Sequence, residues 1–333
     1  MLRVDVVLGV QHGDEGKGKV THHLLRGGDY THCIRYNGGC NAGHTIYHNG
    51  KKFVTHHIPA GVFFGVKSII GPGCIVDINK FFKEMEMLSA GGIDVDGKVF
   101  IAKNAHVIQN SHTEADSGEL RIGTTRTGNG PCYSDKYARV GNRAESYGSL
   151  IPYLVDMYEE FHVVNTNSTV LCEGAQGFAL DVDWGDYPYV TSSHCTTAGA
   201  LLNGFPPKSI RKVYGVAKVY ETYVGSKNFQ PDHPVFRKIQ EVGKEFGATT
   251  GRRRQCNWMN LTNLNRALKI NGVDHLIINK VDVLDEVGEW NVEIGYPENS
   301  SMMSFCDKSQ FCDYITKYFH DVDITFSSSP ERI

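Results

Sequence analysis

Short apolar runs that end in glycine or polar residues recur along the chain, and each predicts a buried β-strand. The first run, Arg3–Gly9, is rich in β-branched residues and leads into a glycine-rich loop. Later runs of the same kind cover residues 67–71, 169–172, 213–219 and 275–279. Residues 45–56 are predicted to form a hairpin, because the pair Asn49-Gly50 tolerates the positive φ angles of a tight turn.

Between these runs, apolar residues recur every three or four positions, as they do on one face of an α-helix. Four such series are Ile78, Phe81, Phe82 and Met85; Val235, Ile239, Val242 and Phe246; Trp258, Leu261, Leu264 and Leu268; and Phe311, Tyr314, Ile315 and Tyr318. A further short helix is predicted over residues 17–25. Pro234 suits the first turn of the second series, since a helix needs no N–H there.

Strands that alternate with helices are typical of an α/β fold. We expect one large domain over residues 1–333, with a mainly parallel central sheet, helices on both faces and a glycine-rich phosphate loop after the first strand. No linker rich in proline or serine divides the chain. Ligands of such sheets bind at the carboxyl ends of the strands, where many of the glycine clusters fall.

Composition and charge narrow the function. The 333 residues include 34 Lys and Arg against 37 Asp and Glu, a formal net charge of −3. This balance argues against a general nucleic-acid binder. The most apolar stretch, residues 62–78, is interrupted by Gly, Pro, Lys and Asp, so no membrane span is predicted. Nine scattered cysteines without a CxxC pair favour free thiols in a reducing compartment, and we expect a cytoplasmic protein.

The loop after the first strand, residues 13–19 (GDEGKGK), opens the first helix and suits an anion. Glycines let backbone N–H groups converge on a phosphate, and the helix N-terminus adds a positive dipole end. The segment differs from a Walker A loop, because Gln11 and Gly18 replace its first glycine and its hydroxyl residue. Asp14 is a candidate Mg²⁺ ligand in place of that hydroxyl, with Lys17 against the phosphates. A tight turn that needs glycine only for its geometry is the alternative.

A second motif follows the run 275–279, where the chain reads Asn279-Lys280-Val281-Asp282. This fits the NKxD pattern of guanine-nucleotide proteins. A carboxylate at Asp282 can accept hydrogen bonds from guanine N1–H and the 2-amino group, while the Lys280 stem lies along the base. Adenine lacks that donor pair, so the motif indicates guanine. The alternative is an ordinary solvated strand end.

Other polar clusters supply further candidate chemistry. Residues 249–254 (TTGRRR) combine hydroxyls with three arginines, which pair bidentately with carboxylates and phosphates. A loop that closes on a small dianion suits this run better than a nucleic-acid patch in an acidic protein. His44, between a glycine and a threonine in residues 41–45 (NAGHT), is a candidate acid or phosphate donor. The pairs His22-His23 and His56-His57 lack a complete metal-ligand spacing and are interpreted as structural.

Taken together, the segments GDEGKGK, NAGHT, IGTT, EGAQG, YPYVTSS, FGATTGRRR and NKVDVLD resemble the adenylosuccinate synthetase family, in the same order along the chain. The resemblance implies an enzyme that joins L-aspartate to C6 of IMP with GTP as phosphoryl donor. The amide-like C6 oxygen of IMP is a poor leaving group, so it is first phosphorylated and then displaced by the aspartate amine.

The resemblance also implies roles for individual residues. Asp14 would be the catalytic base and His44 the catalytic acid, with Asp14 and the Gly43 carbonyl as Mg²⁺ ligands. The purine-monophosphate site would comprise Asn41, Thr125, Arg139, Gln176, Thr191, Val224 and Arg252. The aspartate site would comprise Thr249, Thr250, Arg252 and Arg254. The GTP site would comprise Gly13, Glu15, Gly16, Lys17, Gly18, Lys19, Thr45, Arg254, Lys280, Asp282 and Ser327. Arg139 would cross the interface of a homodimer to the partner's site.

The chain departs from the family pattern in residues 223–232 (YVGSKNFQPD), where an arginine and a GPFPT run are missing. Because that loop approaches the ribose, one alternative is the phage relative that uses dGMP to make a succinylated 2-aminodeoxyadenylate. A known form of that relative replaces the loop aspartate, whereas this chain keeps Asp14, which favours IMP. A second alternative is a GTP-binding switch without ligase activity, for which an aspartate-binding loop would have no use.

Overall fold

The structure is a computed structural model that describes residues 1–119, 121–247, 251–296 and 299–333. Its strands are β1 (Arg3–Gly9), β2 (His32–Arg35), β3 (His44–His48), β4 (Lys51–Thr55), β5 (Lys67–Ile70), β6 (Ile75–Val76), β7 (Val99–Ala102), β8 (His106–Val107), β9 (Leu154–Val155), β10 (Thr169–Glu173), β11 (Ile210–Lys218), β12 (Tyr220–Tyr223), β13 (Gln255–Asn260), β14 (His275–Asn279), β15 (Trp290–Ile294), β16 (Ser301–Phe305) and β17 (Asp323–Phe326).

Helices connect most of these strands. They are α1 (Lys17–Gly27), α2 (Ile78–Ala90), α3 (Asn110–Ser117), α4 (Asn129–Ala138), α5 (Thr197–Leu201), α6 (Pro234–Val242), α7 (Leu261–Asn271), α8 (Val281–Val287) and α9 (Lys308–Tyr318). Side chains of the preceding residue cap several of them. Asp77 accepts from the Lys80 N–H at the start of α2, and Asp307 accepts from the Gln310 N–H at the start of α9.

The described residues form a nine-stranded sheet in the order β17-β14-β11-β1-β10-β2-β5-β7-β9. Every neighbouring pair in it is parallel. Strand β1 lies near the middle and is buried from its second residue onward, which explains why it is mostly apolar; the exception inside it, Asp5, accepts from Arg211 Nε at 2.9 Å. The predicted α/β class with a mainly parallel sheet flanked by helices is therefore confirmed.

Smaller sheets lie outside the nine-stranded sheet. Strands β12, β13, β15 and β16 form a mixed sheet, and β3 pairs with β4 as an antiparallel hairpin. The turn of that hairpin is at Asn49 and Gly50, whose φ angles are 50° and 74°. The prediction of a tight turn at this pair is confirmed.

Two helix predictions were wrong in part. Trp258 lies in β13, where it pairs with Tyr220 of β12, and α7 begins only at Leu261 with Asn260 as its cap. Phe246 lies beyond the end of α6 and is 48% exposed. In both cases a residue at helical spacing lies outside the helix: Trp258 pairs in a β-sheet, and α6 ends at Val242, before Phe246.

One hydrophobic cluster extends from Val4 in β1 to Phe319 after α9 and packs both sides of the parallel sheet. In the described part of the chain, no helix is long and apolar enough to cross a membrane. The nine cysteines are free thiols, as the scattered spacing indicates, and seven of them are buried.

A buried histidine beneath the β3–β4 hairpin makes stability depend on pH. The Nε2 atom of His57 accepts a hydrogen bond from the Asp77 N–H at 3.1 Å, and burial lowers the pKa of His57 to about 3. Between that value and the ordinary value near 6.5, only the unfolded chain protonates this side chain. The free energy of unfolding should therefore fall as pH decreases through this window, by about 2 kcal/mol from this residue at pH 5.

We expect His57→Gln to reduce this dependence by about 2 kcal/mol at pH 5, because glutamine does not titrate, while buried histidines such as His44 keep their own contribution. Chemical denaturation of the full chain at pH 7, 6 and 5 would measure the slope for each protein. His320→Gln is the matched control, since the His320 side chain is 75% exposed. A wild-type slope retained in His57→Gln would show that other groups cause the acid sensitivity.

Candidate active site

The carboxyl ends of five adjacent strands of the parallel sheet carry the predicted site. In sheet order these strands are β14, β11, β1, β10 and β2. A cavity of about 760 Å³ opens above them. Its lining includes Gly13, Asp14, Gly16, Lys17, Gly18, Asn41, Gly43, His44, Thr45, Thr125, Gln176, Thr191, Val224, Arg252 and Arg254. Residues predicted from seven separate segments thus meet in one place.

The phosphate loop is held from beneath by Glu15, which is 1% exposed. Its carboxylate accepts hydrogen bonds from the Gly13 N–H at 2.9 Å and from Lys17 Nζ at 2.6 Å. Gly16, the N-cap residue of α1, has φ of 97° and as a glycine supplies no capping side chain. The N-terminal N–H groups of α1 therefore suit an anion. Glu15, predicted as a GTP ligand, uses its side chain to shape the loop.

Gly18 explains why this loop lacks a Walker-type hydroxyl. A Cβ atom at Gly18 would lie 2.9 Å from Cβ of His44 and 3.4 Å from Cγ1 of Ile46. Only glycine lets β3 approach α1 this closely. A hydroxyl residue at position 18 would therefore clash with His44, which lies beside the phosphate loop.

His44 is embedded in a buried charged cluster. Its Nδ1 atom contacts Glu173 Oε1, and Arg35 Nη1 donates to the same carboxylate oxygen at 2.8 Å. Burial and then the positive charge of Arg35 lower the pKa of His44 to about 4. His44 is thus neutral near pH 7 when no ligand is bound, and Glu173 is placed to stabilise its protonated form.

The predicted purine residues line one wall of the cavity. Gln176 has a left-handed backbone with φ of 56°, and its Nε2 donates to Asn41 Oδ1 at 3.0 Å. The hydroxyl of Thr125, another lining residue, lies 2.9 Å from that of Thr127. Amides and hydroxyls are suited to reading a purine edge and a ribose phosphate, because they can both donate and accept hydrogen bonds.

Arg254 links the arginine loop to the phosphate loop. Its Nε donates to Asp14 Oδ2 at 2.7 Å, and its Nη1 donates to Glu245 Oε2. Arg252 Nη1 donates to the Gly123 carbonyl at 3.2 Å, across the cavity mouth. The predicted aspartate ligands Thr249 and Thr250 lie outside the described residues.

The NKVD segment, residues 279–282, lies against the phosphate loop. Asn279 Nδ2 donates to the Glu15 carbonyl at 2.7 Å, which ties β14 to the loop. Lys280 precedes α8 with φ of 69°, and Asp282 is exposed in the first turn of that helix. Lys19 Nζ donates to Ser327 Oγ at 2.8 Å, which brings the C-terminal segment alongside. Lys280, Asp282, Lys19 and Ser327 are therefore neighbours.

Arg139 is the one predicted purine ligand that lies away from the described cavity lining. It ends α4 with φ of 67° and is exposed. Ser134, one turn earlier in α4, does line the cavity.

A charged network that the sequence reading missed supports the loop at residues 223–232. His12 Nδ1 lies 2.8 Å from Glu221 Oε2, and its Nε2 lies 3.0 Å from Asp186 Oδ2, which also accepts from Lys227 at 2.5 Å. Although burial lowers it, these carboxylates raise the pKa of His12 to about 9. His12 also packs edge-on against Phe229, at 4.8 Å between ring centroids.

The donor set near Asp14 fits a hard divalent cation. The Asp14 side chain and Gly43 line the cavity with Lys17 and the N-terminus of α1, where phosphate oxygens would lie. Mg²⁺ prefers one or two carboxylate or carbonyl oxygens together with substrate phosphates. Asp14 and Gly43 are thus suitable Mg²⁺ ligands.

A wholly parallel sheet, a phosphate loop and an NKxD subsite at its carboxyl edge define a nucleotide-binding α/β enzyme. The family model of adenylosuccinate synthetase matches residues 6–148 and 144–322. The adenylosuccinate synthetase of Chlorobaculum parvum is 40% identical over 346 residues, which cover 87% of this chain and 79% of the relative. That of Parabacteroides distasonis is 40% identical over 349 residues, covering 90% and 82%. The chain belongs to the adenylosuccinate synthetase family.

Solved structures agree with this assignment. The fully ligated adenylosuccinate synthetase of Plasmodium falciparum superimposes with a TM-score of 0.88 at 28% identity, covering 99% of this chain and 98% of that one. The succinoaminodeoxyadenylate synthetase of cyanophage S-2L, bound to dGMP and dATP, has a TM-score of 0.79 at 20% identity over 99% and 94%. This second likeness shows the shared fold. The protein is a ligase that forms a C–N bond in the GTP-dependent joining of L-aspartate to IMP.

Proposed function

We propose that this chain makes adenylosuccinate through a 6-phosphoryl intermediate, with Asp14 as base and His44 as acid. The observation that carries the proposal is that Asp14, His44 and Lys17 line one cavity with the purine residues Asn41 and Gln176. The phosphate loop separates this cavity from the NKVD subsite. A donor nucleotide bound there would point its phosphates toward the acceptor purine.

The first step activates the C6 oxygen of IMP. Asp14 removes the N1 proton, and the resulting oxyanion attacks the γ-phosphorus of GTP. A bond forms between O6 and phosphorus, the bond to the β-phosphate oxygen breaks, and GDP leaves. A carboxylate is a weak base toward an N–H proton, so this step depends on positioning and on charge stabilisation by Lys17.

The second step forms the C–N bond. The amine of L-aspartate attacks C6 and loses a proton, and phosphate leaves with the former O6 oxygen. Arg254 and Arg252 bring two guanidiniums to the cavity, which suits the two carboxylates of the amino acid. We include Thr249 and Thr250 in this proposed loop by resemblance.

His44 would assist at the transferring phosphoryl group. An anionic phosphoryl group beside the ring would raise the pKa of His44 from its low unliganded value, and Glu173 would hold the protonated imidazole in place. Mg²⁺, held by Asp14 and the Gly43 carbonyl, supplies Lewis-acid stabilisation of phosphate charge when it is bound. Lys17 and the N-terminus of α1 supply the remaining positive field from this chain.

We also propose that the enzyme acts as a cytoplasmic homodimer whose residues 1–333 form one domain. Arg139 is exposed at the end of α4 and lies away from its own cavity, which supports a role at the 5′-phosphate of a partner's substrate. The hydrophobic cluster that joins Val4 to Phe319 supports one domain, and the free thiols support a reducing compartment.

An isotope experiment tests this proposal. The purified protein would be incubated with Mg²⁺, GTP, L-aspartate and IMP labelled with ¹⁸O at C6, and the products analysed by mass. We expect adenylosuccinate together with ¹⁸O in the released phosphate. Label retained elsewhere would exclude the 6-phosphoryl route.

A parallel reaction with dGMP in place of IMP tests the altered loop at residues 223–232. Product formed from dGMP and not from IMP would show that dGMP is the acceptor.

The guanine subsite makes a prediction of its own. We expect Asp282→Asn to lower kcat/KM for GTP by about 30- to 100-fold and to leave kcat/KM for ATP unchanged, because an amide cannot accept from both guanine donors. Steady-state kinetics with both donors would measure the ratio. Asp285→Asn is the control on the same helix, since Asp285 pairs with Lys308 at the surface. A wild-type preference for ATP would contradict the guanine assignment.

A further inference from the structure

A buried carboxylate connects the subsites, and the proposed mechanism does not use it. Glu245 follows α6 and is fully buried, with 0% exposure. Its Oε1 accepts from the Tyr220 hydroxyl at 2.6 Å, and its Oε2 accepts from Arg254 Nη1. Although burial acts in the opposite direction, the neighbouring positive charges lower the pKa of Glu245 to about 2. A buried charge is costly, so its retention requires these partners.

Three cations from three different segments converge on this carboxylate. Lys218 Nζ lies 3.4 Å from Oε1, and Lys280 Nζ lies 3.9 Å from the same oxygen, while Arg254 occupies Oε2. Each cation belongs to a different part of the site. Lys218 ends β11, Lys280 belongs to the guanine motif, and Arg254 belongs to the arginine loop.

The residues that supply these cations also make contacts with other parts of the site. Lys280 Nζ donates to the Gly243 carbonyl at 2.8 Å, so the guanine motif rests on the turn that carries Glu245. The backbone of Lys218 exchanges two hydrogen bonds with the Gln11 side chain, at 3.0 and 2.9 Å. A displacement of the turn at residues 243–245 would therefore move Lys280 of the guanine motif and, through Lys218 and Gln11, the base of the phosphate loop.

Arg254 stands between two carboxylates, Asp14 and Glu245. A carboxylate ligand entering the arginine loop would compete with Asp14 for the guanidinium and would free Asp14 for its own chemistry. Glu245 would keep its contact with Nη1 during that exchange and hold the guanidinium in place. Without Glu245, Lys218, Lys280 and Arg254 would lose the carboxylate that offsets their mutual repulsion.

We propose that Glu245 is a positioning residue that couples guanine-base binding to affinity for the second, dicarboxylate substrate. Guanine seated on Lys280 steadies the turn at residues 243–245, and Glu245 then presents Arg254 to the incoming carboxylate. The proposal rests on the function proposed above, since it uses Lys280 as guanine reader and Arg254 as aspartate ligand. Linkage makes the coupling reciprocal, so bound aspartate tightens GTP binding by the same factor.

The test compares donors that engage the base subsite differently. ITP lacks the 2-amino group of GTP and leaves one of the Asp282 contacts unmade. With the wild-type enzyme, we expect the KM for L-aspartate at saturating donor to be at least about fivefold lower with GTP than with ITP, a usual size for coupling between sites. In Glu245→Gln the KM should rise with both donors, and the difference between GTP and ITP should shrink to within about twofold.

Controls separate coupling from a general loss of structure. Glu241→Gln changes an exposed residue of α6 and should leave both KM values unchanged. Glu245→Asp, which keeps the charge on a shorter stem, should restore part of the donor difference. If Glu245→Gln fails to fold, Tyr220→Phe removes a single donor to the same carboxylate and should reduce the difference.

The outcomes distinguish the two proposals. Equal aspartate KM values with GTP and ITP in the wild type, or a donor difference that survives in Glu245→Gln, would overturn the coupling and leave the proposed reaction intact. Equal use of ATP and GTP by the wild type would remove Lys280 and Asp282 as the guanine reader and overturn the coupling, but it would not overturn the proposed ligation of aspartate to IMP. A fall in kcat alone, with unchanged KM values, would make Glu245 structural and overturn the coupling.

Discussion

Asp14→Asn is expected to bind GTP and IMP within a fewfold of wild type and to lose at least about 1,000-fold in kcat. The substitution removes the only proposed base and the charge that would bind Mg²⁺, and general-base catalysis alone contributes about 100- to 10,000-fold. The fold should tolerate the change. Asp14 has a left-handed φ of 59°, which asparagine adopts at least as readily as aspartate.

Equilibrium binding by calorimetry and single-turnover formation of GDP would separate binding from chemistry in this variant. Asp29→Asn, an exposed aspartate after α1, is the control for the loss of one charge. Turnover retained in Asp14→Asn would remove Asp14 as the base. Lost binding of both nucleotides would instead indicate that the Asp14–Arg254 pair holds the loop together.

The fold and the phosphate loop were predictable because their signals are local. Strand β1 is buried along almost its whole length, so its sequence is mostly apolar, and the loop after it needs glycine where φ is positive, at Gly13 and Gly16. The hairpin turn at Asn49-Gly50 is equally local. Interactions within a few residues determine these features, and a single sequence displays them.

Residues whose partners are distant in sequence were not predictable in the same way. Strand β2 reads His-Cys-Ile-Arg, and an arginine at the end of so short a run suggests solvent exposure. Arg35 is instead buried, because Glu173, 138 residues away, provides its counter-charge. His12 likewise depends on Glu221, 209 residues away. One sequence signal could have marked Arg35 as a candidate site residue: its position at the carboxyl end of a strand.

The second large effect is expected from Arg254→Leu, which should raise the KM for L-aspartate by at least about 100-fold. One charge-assisted hydrogen bond contributes about 1.5–3 kcal/mol, and a guanidinium can make two to a carboxylate. The KM for IMP should stay within about threefold of wild type, because Asn41, Gln176 and Thr125 on the purine walls are untouched. Initial rates with aspartate varied at saturating GTP and IMP would give the ratio.

Two further variants show whether this effect belongs to the guanidinium itself. Arg253→Leu changes the neighbouring arginine, which is exposed and lies over the Phe246 ring at 5.8 Å, so its aspartate KM should be unchanged. Arg254→Lys keeps the charge without the planar fork and should recover only part of the loss. An aspartate KM that is unchanged in Arg254→Leu would contradict the role of this loop. An equal rise in Arg253→Leu would show instead that the net charge of the loop, and not the fork between Asp14 and Glu245, attracts the dicarboxylate substrate.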